Sequence, residues 1–306
     1  MPTLHLGINT CFAVKRWPEP ETWLTIIKDD LGLDCCQFSL DLVDPLLDEA
    51  IVAAYAQNVR HCAAEKGVFL HSTFTGLAAY SWSQLLHPNK AMRDAAMHWY
   101  RRAIEFSVRL GTLGTGGHIG ALSVQDAANA ARKQALQQEM FERMEELSRY
   151  AAQRGLRFLL FENMAVEREW GYCIEEAQLL EQRAVSGGVP LTLCLDVGHP
   201  CALHTRTSSD DYLVWLTQPW QHTPVLHLQQ TDRGGDHHWP FTAAYNSQGI
   251  VQLESILAIV RHWNVDDVYL FLEPIHPFEA DDDTVLADLR ESVQYCRERI
   301  AQIQAN

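Results

Sequence analysis

Four ionisable residues close, or sit within, successive apolar runs in the second half of the chain. Glu162 ends RFLLFE, Asp196 ends LTLCLD, His227 lies within VLHLQ and Glu273 ends VYLFLE. Each alone has a bland reading. A glutamate after a strand more often caps a helix or pairs with a cation, and a lone histidine in an apolar strand is more often a hydrogen-bonded core residue. Four in succession change the balance. Burying three carboxylates and an imidazole at the edge of a core is costly unless something compensates them, and a divalent cation does so directly. His71 in VFLHS and His118 at the end of TLGTGGH follow the same pattern in the first half. His199 stands three residues after Asp196 in CLDVGHP. After the VLHLQ run, TDRGGDHHW supplies Arg233, Asp236, His237 and His238. Arg233 could hold a substrate oxygen or pair with an acid, and the Asp–His–His run could ligate a metal, bind a polyol or be a solvated loop.

These side chains need elements that aim them at one place. Short apolar runs at 4–9, 35–40, 68–72, 112–118, 157–162, 191–196, 224–229 and 268–273 read as strands buried on both faces. Between them, helical spacing covers 49–66, 89–110, 126–154, 174–185, 209–218 and 251–263, with a final helix at 281–303. Gly67, Gly111 and Gly155 stand where helices should stop. Eight strand–helix units predict a single-domain α/β chain, residues 1–306, folded as a (β/α)8 TIM barrel; an open doubly wound sheet is the alternative, since periodicity does not prove closure. In the barrel every strand's C-terminal end opens on one face, so His71, His118, Glu162, Asp196, His227 and Glu273 converge on one cavity.

The bulk properties narrow the partners. With 39 acidic against 24 basic residues the formal net charge is -15, which disfavours a surface that tracks nucleic-acid phosphates. The eight scattered cysteines include no CxxC pair and read as reduced thiols. No apolar run is long enough for a membrane span and the start lacks a signal-peptide pattern, so a cytoplasmic protein is expected. Aromatic residues in the loops, among them Trp17, Trp170, Trp239 and Phe278, could stack on a sugar or pack the barrel rim. Lys15, Arg16, Arg168, Arg206 and Arg233 follow strand ends and admit a phosphorylated substrate. The outer faces of 89–110 and 281–303 are candidate surfaces for a homo-oligomer.

The order Glu162, Asp196, His227, Glu273, with His199 three residues after the aspartate and Arg233 six after the histidine, resembles the xylose isomerase-like barrel superfamily. Within it, the likeness is to the sugar isomerases and 3-epimerases related to D-tagatose 3-epimerase. The resemblance implies one divalent metal (Mn²⁺, Mg²⁺ or Co²⁺ in preference to Zn²⁺) held by those four residues. It implies Glu162 and Glu273 as the proton-transferring pair, acting through an enediolate of a sugar or sugar phosphate, with His199 and Arg233 on substrate oxygens. His71 and His118 are further candidates for substrate contacts. Endonuclease IV-type enzymes share the barrel and carry extra metal-binding histidines. His71, His118, Asp236 and His238 resemble those, so a second ion and a multi-metal phosphodiesterase acting on abasic DNA form the alternative expectation.

Overall fold

The computed structural model describes residues 1–305. Each apolar run becomes a strand because its residues can be buried on both faces: β1 (Thr3–Asn9), β2 (Cys35–Ser39), β3 (Phe69–Phe74), β4 (Gly114–Gly117), β5 (Phe158–Glu162), β6 (Leu191–Asp196), β7 (Val225–Leu228) and β8 (Asp267–Leu272). All pairings are parallel and the order β1 to β8 closes on itself, with β1 and β8 in register from Thr3 against Asp267 to Ile8 against Leu272. This is the (β/α)8 barrel expected, and the open sheet is excluded. Phe74, Leu160, Cys194, Val225 and Phe271 fill the inside of the barrel; a far larger apolar layer lies between strands and helices.

The helices obey their local signals. Glu49–Lys66 begins on the side chain of Asp48, which accepts a hydrogen bond from the amide of Ala50, and ends on Gly67 at φ 65°. Lys90–Leu110 runs from an Asn89 cap to Gly111. The stretch read as one helix over 126–154 is two, Val124–Ala127 and Ala130–Arg154. Asn129 interrupts it by turning its side chain onto the amide of Arg132. Pro20–Thr25, continued as a π-helical turn through Ile26–Asp30, and the short helix Gly76–Tyr80 were not anticipated.

β4 is narrow for a reason. A Cβ on Gly114 would lie 2.2 Å from the Phe158 ring, and one on Gly116 would lie 2.0 Å from the Leu160 carbonyl oxygen. Their missing side chains let β5 and its large inward residue approach. β3 carries a bulge: Cys36 pairs with Leu70 and Gln37 with Ser72, leaving His71 as the extra residue. Among the described residues no helix is long and apolar enough to cross a membrane, and all eight cysteines carry free thiols.

Candidate active site

Glu162, Asp196, His227 and Glu273 reach one point because their strands are neighbours with stepped register. Glu162 lies opposite Cys194, Asp196 opposite His227, and His227 opposite Phe271, two residues before Glu273. All four are buried, and each offers one ligand atom to a group whose members lie within 4.8 Å of one another.

His227 is the hub. Its Nδ1 lies 2.7 Å from Glu273 Oε2 and 3.1 Å from Glu162 Oε1, while its Nε2 lies 2.6 Å from Gln37 Oε1. An amide oxygen only accepts, so Nε2 carries a proton and Nδ1 is the ring nitrogen aimed at the carboxylates. Asn9 Nδ2 donates to the same Gln37 oxygen at 2.9 Å and to Glu273 Oε1 at 3.0 Å. Gln37 Nε2 donates to Ser72 Oγ at 3.2 Å. Residues from β1, β2 and β3 thus hold groups from β7 and β8.

Asp196 is oriented with equal care. Its Oδ1 accepts from the amides of Gly198 (2.7 Å) and His199 (3.1 Å) and from Gln229 Nε2 (3.0 Å). Its Oδ2 is buried with no hydrogen-bond partner. A carboxylate oxygen stripped of water and left bare beside two glutamates and an imidazole is what a cation site requires, so the donor set fits a divalent metal. Burial pushes the Asp196 carboxyl up, and His199 and His238 only partly oppose that. For Glu162, burial also pushes upward, but the imidazoles of His118 and His227 beside it overcome that and hold the carboxyl low.

Above this floor opens a cavity of about 410 Å³, lined by the apolar Phe74, Leu77 and Met164, by Tyr80, and by the polar His199, Asp236 and His238. His118, which follows β4, enters it with Nε2 3.1 Å from Glu162 Oε2 and Nδ1 3.0 Å from Thr75 Oγ1. His199 Nδ1 donates to the Asn163 carbonyl at 2.6 Å, and its Nε2 lies 3.2 Å from Asp236 Oδ2. His238 Nε2 approaches the same oxygen at 3.3 Å. Burial disfavours the charged form of His199, yet the carboxylates of Asp196 and Asp236 raise its pKa well above the ordinary range. Asp196, His199 and His238 form a second cluster with ligand atoms within 4.8 Å.

Two expected contacts are not in the cavity. His71 is packed inside the barrel below it, its ring centroid 4.1 Å from that of Tyr269 and 5.4 Å from that of Phe271. The bulge turns it inward at the level of Tyr269, four residues short of Glu273, and burial pushes its pKa down to about 3. It is a core histidine, hydrogen-bonded through Nδ1 to Ser72 Oγ, rather than a substrate contact or a ligand for a second ion. Arg233 is exposed on the loop after β7 and does not line the cavity. Asp236 and His238, by contrast, do join His199 at its wall. The residues that sequence reasoning misses are uncharged amides: Asn9, Asn163 and Gln229 end or follow β1, β5 and β7, and Gln37 lies in the middle of β2. Amides closing an apolar run mark three of them, whereas Gln37 within β2 leaves no such mark.

Comparison with known proteins agrees with this geometry. Residues 28–299 match a family model described as xylose isomerase-like TIM barrel. A D-erythrulose 1-phosphate 3-epimerase of Brucella abortus (strain 2308) is 26% identical over 299 residues, covering 95% of each chain. A Rhodospirillum rubrum structure, described provisionally as a xylose isomerase, superposes with a TM-score of 0.89 at 30% identity, covering 96% of this chain and 99% of the other. An L-ribulose 3-epimerase structure gives a TM-score of 0.72 at 15% identity over 99% and 96%, a likeness of fold. The two epimerase names among these relatives belong to the isomerase class. The chain is a member of the xylose isomerase-like TIM barrel family.

Proposed function

We propose that this protein is a divalent-metal-dependent sugar or sugar-phosphate isomerase, acting as a ketose 3-epimerase or aldose–ketose isomerase through glutamate-mediated proton transfer. The observation that carries the reading is the bare, buried Asp196 Oδ2 held beside Glu162, His227 and Glu273. The epimerase name of the Brucella relative supports the reaction class. Glu162, Asp196, His227 and Glu273 would hold the cation, with Mn²⁺, Mg²⁺ or Co²⁺ suited to a carboxylate-rich set. When bound, such a cation supplies Lewis-acid stabilisation of negative charge developing on substrate oxygen.

The chain's own residues do the rest. Glu162 and Glu273 approach the same imidazole nitrogen from different strands, so one can remove the proton from the carbon beside the carbonyl and the other return one. In this reading His118, beside Glu162, and His199, held by Asn163, contact substrate hydroxyls. Phe74 packs edge-on against His227 with centroids 4.7 Å apart and shields the floor from water. Incubating the Mn²⁺-loaded protein with tetroses to hexoses and their phosphates in heavy water should give deuterium uptake beside the carbonyl. Glu162→Gln and Glu273→Gln should each reduce it by about 10²–10⁴-fold. No uptake across the panel would remove the proposal. The abasic-DNA phosphodiesterase reading is less well supported, since His71 is withdrawn into the barrel core.

A further inference from the structure

Asp41 follows β2 and stands on the rim of the cavity, where the mechanism above assigns it nothing. Its carboxylate is fixed on three sides. Oδ2 accepts from the Leu77 amide at 2.8 Å and from Ser39 Oγ at 3.1 Å, and Oδ1 accepts from the Ala78 amide at 2.7 Å. Gly76 permits this approach: its φ is +71°, and a Cβ there would lie 2.4 Å from Asp41 Oδ2. The negative charge is therefore an immobile part of the wall.

Nothing opposite balances it. Among the described residues the lining includes Glu162, Asp236 and Glu273 but no lysine or arginine. Its histidines are already matched to acids: His118 to Glu162, His199 and His238 to Asp236, and His237 to Asp232 at 2.9 Å. Arg16 shares a small adjoining cavity with Asp41, but its guanidinium is engaged by Asp282 and the carbonyls of Ala280 and Pro277. The Arg168 guanidinium donates to the Leu122 carbonyl, and the Lys15 ammonium lies 4.4 Å over the Phe278 ring. Phosphate groups are recognised by arginine clusters or open backbone amides. Here the amides that start the helix Gly76–Tyr80 are covered by a carboxylate.

We propose that Asp41 is a specificity determinant that excludes phosphorylated ketoses, so that this site takes an uncharged ketose. The inference rests on the sugar-isomerase reading and sets this chain apart from the Brucella relative, whose name specifies a phosphate. A phosphate ester, with close to two negative charges at neutral pH, meets like charge at the rim, and among the described residues no lysine or arginine lines the cavity to offset it.

The test compares kcat/KM of the Mn²⁺-loaded enzyme on C4 to C6 ketoses and on their 1-phosphates. The uncharged sugars should lead by about 100-fold, and Asp41→Asn should narrow that lead by about tenfold, through a lower KM for the phosphates. Leu77→Lys keeps the Asp41 clamp and adds a cation beside it, so it should narrow the lead in the same way even if Asp41→Asn loosens the loop. Equal or better use of the phosphates by the parent enzyme overturns the inference, as does an unchanged ratio in both variants. Calorimetry with dihydroxyacetone and its phosphate reads binding without turnover. If no ketose is turned over, the sugar-isomerase proposal falls. Binding then decides the inference alone: tighter binding of the phosphate overturns it, and weaker binding upholds it.

Discussion

Gln37 decides which ring nitrogen of His227 meets the carboxylates, because its carbonyl oxygen accepts the hydrogen bond from Nε2–H at 2.6 Å and leaves Nδ1 to the cluster. Outer partners of this kind hold a ligating imidazole in one tautomer and orientation. Gln37→Leu should weaken Mn²⁺ binding by about 10–100-fold in a calorimetric titration, and Gln37→Glu, which keeps an acceptor, should weaken it less. His71 carries a different consequence. Its folded pKa is lowered to about 3 by burial, below the ordinary 6.5, so the unfolded chain binds the proton first as pH falls. Its stabilising share is complete above pH 6.5 and is lost progressively as pH falls towards 3, by about 1.4 kcal/mol per pH unit. Urea unfolding of the metal-free protein at pH 7 and pH 4.5 should therefore show a smaller acid loss in His71→Leu. At this scale the ionisable ligands were legible because a charge closing an apolar run is costly to bury without a counter-charge. Asn9 and Gln229 were not, since an amide there looks like an ordinary strand terminus, and Gln37 lies inside its strand, where a buried amide carries no charge to betray it. His71 misled because a one-residue bulge turns it inward, and bulges leave no mark in hydrophobic spacing.

The elements were legible where one local signal dominates. Gly67, Gly111 and Gly155 end their helices in the left-handed conformation, at φ 65°, 80° and 92°. The helix Glu49–Lys66 has the bounds its pattern predicts. Asn129 hid inside a long helical pattern because its capping role depends on a turn that spacing does not reveal. β4 was read as a strand from its place in the alternation, while the need for its glycines is tertiary. Gly116→Ala forces a Cβ into the Leu160 carbonyl at a φ of +143°. It should destabilise the barrel by about 1–3 kcal/mol in equilibrium unfolding, with an unchanged m-value if only packing is lost. Gly67→Ala meets no atom within 4 Å and is limited to the strain of its positive φ, so it is the milder control.

For the whole molecule, eight alternating units narrowed the fold to a barrel or an open sheet, and the order of Glu162, Asp196, His227 and Glu273 carried the family resemblance. The charge selectivity of the cavity was not legible, since nothing in the sequence shows that Arg16, Arg168 and Lys15 are engaged away from it. A cation that binds the folded form alone must also stabilise it. Mn²⁺ at about 100 times its Kd should add about 2.7 kcal/mol, seen as a rise of several degrees in melting temperature that a chelator reverses. Asp196→Ala should abolish the rise. The hydrogen bond from Asn9 on β1 to Glu273 after β8 joins residues 264 positions apart. During synthesis, a chain still on the ribosome therefore has no complete cation cage until its eighth strand emerges and docks on the first. Metal uptake should accordingly report completed closure, and a time-resolved refolding experiment with a metal-sensitive dye should find it among the last events.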